Sequence, residues 1–231
     1  MNPPHAAIIG APSAFHGSIQ TGSNVEVLLS RAFPNIAMFV EEPISTNPVP
    51  DVLACSQFLK DRKHIVSVGY TLRYLNGVQM AQEIIAKENL TVMGVCATYI
   101  AAYAKIDKMS WWDKDRSCGP IVQQGSRLVD LCRYFGGEVD FNTIRSHALE
   151  HFESPGKLSA LTIDESSIPS ERRIPRMTVA NWKFKSGAVC SFTHGLVSHG
   201  VGQDTALSVY CDGWTFKLLD LDKYLASSFE F

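Results

Sequence analysis

The chain has 231 residues, with 21 Lys and Arg against 23 Asp and Glu, so its formal net charge is −2. That balance excludes a nucleic-acid binder that works through bulk positive charge. An apolar fraction of 45% and a charged fraction of 19% exclude a disordered chain, and no apolar run approaches the ~18 residues of a membrane helix. Residues 1–25 contain no Lys or Arg, so we expect no secretory or transit signal and a cytoplasmic protein.

The first half of the chain alternates short apolar runs with amphipathic stretches. Buried parallel strands are predicted at residues 6–10, 36–40 and 64–68, each followed by Gly, Pro or Glu. Helices are predicted at residues 25–32, 51–60 and 75–87, the second with Asp51 as its N-cap. This order predicts a parallel α/β sheet with right-handed crossovers.

The second half is richer in β signals. Residues 90–104 predict a strand, residues 121–135 a helix, and residues 164–175 a surface loop. Further strands are predicted at residues 143–152, 159–164, 177–185, 188–194, 205–211 and 214–219, with hairpin turns at 185–187 and 212–213. This half is therefore expected to form an α+β domain, an open and mostly antiparallel sheet with a helix packed on one face.

Two side chains suggest a binding site from their positions alone. His16 follows a strand end, where α/β proteins place ligand loops, although it could equally be an exposed loop histidine. Arg73 could bind a carboxylate or phosphate with two hydrogen bonds, or it could be a structural arginine between domains.

The remaining histidines and the cysteines favour simpler interpretations. His147 and His151 lie about 13 Å apart if they are on one strand, so we expect no metal site there. His194 and His199 are expected in a solvated hairpin end rather than facing a substrate. The six cysteines form no C-x-x-C pair and are typical of reduced, mostly buried thiols, since a three-disulfide framework suits much shorter chains.

Four motifs in a fixed order give the chain a resemblance to a known family. They are residues 11–16 (Ala-Pro-Ser-Ala-Phe-His), 41–43 (Glu-Glu-Pro), 68–74 (Val-Gly-Tyr-Thr-Leu-Arg-Tyr) and 125–134 (Gly-Ser-Arg-Leu-Val-Asp-Leu-Cys-Arg-Tyr). Together they resemble the Gfo/Idh/MocA oxidoreductases, named after glucose–fructose oxidoreductase and inositol dehydrogenase. The stretch 118–137 is most similar to fungal members.

The resemblance implies a Rossmann-type dinucleotide-binding domain over residues 1–72 and an open-sheet domain over residues 73–231. The second domain would form the substrate wall and an oligomer or partner interface. The implied cofactor is NAD or NADP, and the implied substrate is a small molecule. Residues beside the cofactor would be Ala11, Pro12, His16, Glu41 and Pro43, and residues near the substrate would be Tyr70, Arg73, Trp111 and Trp112.

The chain also departs from the family pattern. It contains no G-x-G-x-x-G turn for a cofactor pyrophosphate, and its first strand corresponds to the fourth strand of the family. The first βαβ units and the usual last segment are therefore expected to be missing. We expect this to leave a sheet edge unpaired and to favour association.

The three catalytic positions differ as well. Glu42 stands where the family has lysine, and Gln123 and Arg127 stand where it has aspartate and histidine. Glutamate can carry a proton, but its charge does not stabilise an alkoxide, glutamine does not titrate, and arginine stays protonated. If Glu42 and Arg127 line one pocket, we expect an ion pair.

Three hypotheses follow. The protein is an oxidoreductase-like member of the family in small-molecule metabolism, with fungal secondary metabolism as the context that the resemblance implies and NAD(P)-linked hydride transfer if it is active. Alternatively, it is a cofactor-free lyase, isomerase or cyclase that uses Glu42, or a non-catalytic partner of a longer relative. The third hypothesis is a truncated gene product.

Overall fold

The computed structural model describes residues 3–117, 119–200 and 204–221. The chain divides into two compact units between Tyr70 and Thr71. The first unit contains a three-stranded parallel sheet and the second a six-stranded mixed sheet with helices, which confirms the predicted fold class. None of the described helices combines the length and the apolar character needed to cross a bilayer.

The first unit consists of two strand–helix pairs and a closing strand. Its elements are β1 (Ala6–Ile9), α1 (Val25–Ala32), β2 (Ala37–Val40), α2 (Val49–Asp61) and β3 (Val66–Val68). The sheet order is β1-β2-β3, and both pairings are parallel.

Side chains alternate across this sheet, as they must in any strand. Ile9 and Val40 point to the helices and join a core with Val27 and Leu59. Ile8 points the other way and is 79% exposed, so the prediction that the first apolar run is buried on both faces is wrong. The start of α2 also differs from expectation, because Pro48 is the N-cap and Asp51 lies within the first turn.

The second unit begins with a 3₁₀ turn and one helix, followed by the large sheet. Its helices are α3 (Asn76–Lys87), α4 (Lys114–Ser117) and α5 (Ser126–Gly136), with a π-helical turn at Ile121–Gly125 directly before α5. Its strands are β4 (Val92–Ala102), β5 (Val139–Leu149), β6 (Met177–Phe184), β7 (Val189–Ser198), β8 (Asp204–Cys211) and β9 (Trp214–Leu219). Its 3₁₀ turns are Thr71–Tyr74, Met109–Trp112, Ser154–Gly156, Glu165–Ser167 and Ser170–Arg172.

The large sheet has the order β5-β6-β7-β4-β8-β9. All of its described pairings are antiparallel except that of β4 with β7, which lies at the centre of the sheet. One face packs against α5, where Leu128 and Leu131 are fully buried. Gly136 permits close packing at the end of α5, since a Cβ there would lie 2.2 Å from the ring of Phe184.

The prediction of a strand at residues 159–164 is wrong. This segment contains no strand, although Leu161 and Ile163 alternate as they would in one. Both are partly buried against the core, so their apolar character serves packing without backbone pairing. The buried guanidinium of Arg176 donates two hydrogen bonds to Glu165, directly after this segment, at 2.9 and 2.5 Å.

The five described cysteines are free thiols, and Cys118 lies outside the described residues. Cys96 is exposed, whereas the other described cysteines are buried. A hydrogen bond with Cys190, together with burial, raises the pKa of Cys132. Burial likewise raises the pKa of Cys211, so both thiols are neutral packing groups at physiological pH.

Candidate functional site

The carboxyl ends of the three parallel strands of the first unit meet at one edge. The backbone N–H of Glu41 donates to Ile9 O at 3.0 Å, and that of Gly69 donates to Val40 O at 2.8 Å. Pairing therefore continues one residue beyond β2 and β3. A Cβ on Gly69 would lie 3.0 Å from Glu41 Oε2, which places the carboxylate of Glu41 beside Gly69 at this edge. Open α/β sheets bind their ligands at such an edge.

Glu42 continues this edge and is half-buried. A cis peptide bond joins it to the buried residue Pro43. Ala11 and Pro12 follow β1, and Tyr70 follows β3, where it is half-buried. The structure thus brings Ala11, Pro12, Glu41, Glu42, Pro43 and Tyr70 to the loops at one edge of the small sheet.

The loop between β1 and α1 is fixed by a buried carboxylate. The N–H of Gly17 donates to both oxygens of Glu26, at 2.9 Å each. Gly17 has a φ of 74°, and a Cβ there would lie 2.1 Å from Ile44 O, so only glycine fits. The hydroxyl of Ser45 donates to His16 O at 2.9 Å, which ties the loops after β1 and β2 together.

The side chain of His16 lies inside the first unit. It is 1% exposed, and its Nδ1 lies 3.5 Å from Glu26 Oε1. The alternative of an exposed loop histidine is therefore wrong. A contact between His16 and a cofactor stays a prediction, and the packing shows a residue that supports the loop from within.

In the second unit, Arg73 is bound to a buried carboxylate. Its Nε and Nη2 donate to Asp130 at 2.6 and 2.5 Å, and the side chain of Asp130 is 4% exposed. The guanidinium also lies 5.1 Å from the ring centroid of Tyr134. This two-pronged pair joins the turn before α3 to α5, and a contact of Arg73 with substrate stays a prediction.

Trp112 belongs to the core of the second unit. It is 1% exposed, and its indole N–H donates to Ile106 O at 3.1 Å. The guanidinium of Arg176 lies 5.7 Å from its ring centroid. Trp111 is half-buried next to it. Substrate contacts of Trp111 and Trp112 stay predictions, and for Trp112 the structure shows a packing role.

The environment of His194 differs from the one predicted from the sequence. It lies within β7, is 3% exposed, and stacks on Tyr99 at a centroid distance of 5.6 Å. Its Nε2 lies 3.0 Å from Gln124 Oε1 in the π-helical turn. Burial lowers the pKa of His194 to about 4, so at neutral pH the imidazole is neutral and can donate its Nε2–H to Gln124. The prediction of a solvated loop histidine is therefore wrong for His194.

Comparison with known proteins shows which family this chain is similar to. Residues 73–214 match the family model described as "Putative oxidoreductase C terminal domain". The chain is similar in structure to levoglucosan dehydrogenase in complex with NADH and levoglucosan, with a TM-score of 0.71 and 18% identity over 94% of this chain and 55% of that chain. The chain belongs to the Gfo/Idh/MocA oxidoreductase family.

The chain is also similar to a second solved structure and to two fungal proteins. The myo-inositol 2-dehydrogenase of Lactobacillus plantarum has a TM-score of 0.67 and 17% identity over 94% of this chain and 58% of that chain. Two uncharacterized proteins of Schizosaccharomyces pombe, UNK4.17 and C12C2.04, are 44% and 39% identical over 94% of this chain. The chain spans about half the length of these curated relatives, at 53% and 56%.

The three residues that the sequence predicts at the catalytic positions of the Gfo/Idh/MocA pattern fall in both units. Glu42 follows β2 in the first unit. Gln123 lies in the π-helical turn of the second unit, and Arg127 lies four residues later in α5, with both side chains half-buried. An ion pair between Glu42 and Arg127 stays a prediction.

The family implies a dinucleotide, and its pyrophosphate needs free N–H groups at a helix N-terminus. In α1 the first turn contains the buried carboxylate of Glu26. In α2 the first turn contains Asp51, and Pro48 and Pro50 lack N–H groups. Neither helix of the first unit fits a pyrophosphate. Within the described residues there is also no group of three or more His, Cys, Asp or Glu that could hold a metal ion.

Proposed function

We propose that this chain is an oxidoreductase-like protein of small-molecule metabolism that binds a hydroxylated or carbonyl compound at the carboxyl edge of its small sheet. The arrangement of Glu41 and Glu42 after β2, beside Gly69, supports this proposal. The substrate class is consistent with the structural relatives, since levoglucosan and myo-inositol are both small hydroxylated compounds. The fungal relatives are consistent with a role in fungal metabolism, and we propose secondary metabolism as its setting.

The chemistry that this chain itself supplies is proton transfer by Glu42. A carboxylate accepts a proton from a substrate hydroxyl as the carbonyl forms, and returns it in the reverse direction. In the second unit, Gln123 can donate a hydrogen bond but not a proton, and Arg127 carries a positive charge; we assign neither of them to the site at Glu42. Hydride transfer to or from NAD(P) would need pyrophosphate-binding residues other than those described.

A second candidate is acid–base catalysis without a dinucleotide, as in a lyase, isomerase or cyclase. The acidic first turns of α1 and α2 favour it, because both disfavour a bound pyrophosphate. Both candidates use Glu42 and the same edge of the sheet. They differ in whether NAD(P), bound by residues other than those described, takes part in the reaction.

Ligand-observed NMR tests the binding edge directly. We expect saturation transfer from the protein to levoglucosan or myo-inositol, and at least a fivefold weaker signal for the Glu42→Ala variant. The variant Glu88→Ala removes an exposed carboxylate of the second unit and is expected to leave the signal unchanged. Equal signals for Glu42→Ala and the unaltered chain would contradict the proposed site.

We also propose that the chain associates with a second copy through the face of the large sheet opposite α5. Four apolar side chains lie on this face and are 40–63% exposed: Val179, Val189, Tyr210 and Leu219. The paired residues Thr98 and Thr193 lie between them and are half-buried. A sheet face that exposes several apolar side chains is typical of an interaction surface.

A further inference from the structure

The first unit contains a cavity of about 430 Å³ between α2 and its sheet. This volume lies within the range of about 300–1,000 Å³ that is usual for small-molecule sites. Most of the wall is apolar, with Val40 and Val68 from the sheet and Val52 and Leu59 from α2. The cavity therefore has the size and the walls of a binding site for a small organic molecule.

Among the described residues that line this apolar cavity, Glu26 is the one with a carboxylate. The side chain of Glu26 is 3% exposed. In the described part of the chain, the N–H of Gly17 donates to both of its oxygens, and His16 Nδ1 lies 3.5 Å from Oε1, within ion-pair distance when the imidazole is protonated. A carboxylate has about four acceptor positions, so Glu26 retains the capacity to accept further hydrogen bonds. Burying a carboxylate with so few donors is unfavourable unless a cation joins it.

The two basic side chains on the described part of the wall, His64 and Lys60, form no ion pair with Glu26. His64 is held by Ile36 O at 3.0 Å and by the hydroxyl of Ser30 at 2.8 Å. Lys60 is exposed in the last turn of α2, and α1 and α2 both run opposite to the parallel strands. Lys60 therefore lies at the end of the cavity opposite Glu26, which is in the first turn of α1.

Cys55 also lines the cavity, and the charge of Glu26 affects its pKa. Burial and the negative charge of Glu26 raise the pKa of Cys55 to about 11. The thiol therefore stays neutral and adds a polarizable, uncharged surface beside the carboxylate.

We propose that this cavity binds a small aliphatic amine as its ammonium ion. The ammonium group donates hydrogen bonds to Glu26, and the carbon chain lies along α2 between Val52 and Leu59. Charge-assisted hydrogen bonds of this type are among the strongest in proteins. The cavity wall includes Ile44 from the loop that contains Glu42, but the proposed contact is with Glu26, so the proposal does not depend on the function proposed above.

Three probes with the same chain length test the proposal by isothermal titration calorimetry: hexylammonium, 1-hexanol and hexanoate. We expect hexylammonium to bind at least tenfold more tightly than 1-hexanol, and hexanoate to show no binding. The variant Glu26→Gln should bring hexylammonium within threefold of 1-hexanol. The variant Glu83→Gln removes an exposed carboxylate and should leave all three affinities unchanged.

A second variant keeps the test valid if Glu26→Gln does not fold. Val52→Phe reduces the cavity and should abolish binding of both hexylammonium and 1-hexanol while the far-ultraviolet circular dichroism stays unchanged. The proposal is overturned if the folded chain binds none of the probes, if hexanoate binds as well as hexylammonium, if Glu26→Gln keeps the tenfold preference for hexylammonium over 1-hexanol, or if hexylammonium still binds Val52→Phe.

Discussion

Two buried carboxylates show how single residues organise this protein. Glu26 binds the backbone N–H of Gly17 and fixes a loop within the first unit. Asp130 binds the guanidinium of Arg73 and joins two helical segments of the second unit. In both cases the carboxylate is nearly inaccessible, so its free energy depends on the partner that it retains.

Replacing Arg73 by Ala should lower the free energy of unfolding by about 2–3 kcal/mol, because the buried Asp130 loses two charge-assisted hydrogen bonds. Urea unfolding at pH 7 measures this change. Arg133→Ala is the control, since Arg133 forms an exposed pair with Glu138 and its loss should cost below about 1 kcal/mol. Equal effects of the two substitutions would contradict the structural role of the Arg73–Asp130 pair.

His194 should make stability depend on pH. Its pKa is lowered from 6.5 to about 4 by burial, so the unfolded chain binds a proton more readily than the folded chain. Stability from this group is complete above pH 6.5 and is lost as the pH falls toward 4. At about 1.36 kcal/mol per pKa unit, the loss is about 3 kcal/mol.

The variant His194→Gln isolates this contribution. Urea unfolding of both proteins between pH 7 and pH 4 should show a steeper loss of stability for the unaltered chain. Parallel pH profiles for the two proteins would show that His194 is not buried in its neutral form.

For the helices and strands, the apolar patterns of the sequence predicted element boundaries better than they predicted which strands pair. The boundaries of α1 and β9 follow from the sequence, because an apolar stripe and a flanking Asp-Gly turn define them locally. The parallel pairing of β4 with β7 does not, since alternation gives a strand its face but not its neighbour. The burial of Glu26 and His194 could not be predicted from the sequence either, because it depends on distant partners. Glu26 binds Gly17, nine residues away in a loop, and His194 binds Gln124, 70 residues away in a turn.

The proposed association can be tested at the face of the large sheet opposite α5. The double variant Val179→Lys with Val189→Lys adds two charges to this face, and we expect it to convert a dimer into a monomer. Sedimentation velocity measures the change. Ile65→Lys, at a 76% exposed position of the first unit, should leave the dimer intact. A monomeric unaltered chain with a cooperative thermal transition would contradict the proposed interface.

Over the whole chain, the described residues form a small parallel sheet whose carboxyl edge is the proposed binding site and a second unit with the open sheet of the family. Glu42, which the sequence predicts at the position of the family's lysine, lies at this edge, and the helices that follow the strands have acidic residues in their first turns. We propose that this edge transfers a proton to or from a small hydroxylated compound, and that the described residues contain no pyrophosphate site.

Titration of the 231-residue chain with NADH and NADPH, monitored by the fluorescence of the nucleotide, tests whether the chain has a dinucleotide site. We predict no saturable binding below about 1 mM, a level equivalent to a binding free energy weaker than about −4 kcal/mol. Saturable binding in the micromolar range would contradict this prediction, because it would require a dinucleotide-binding site that the described residues do not form.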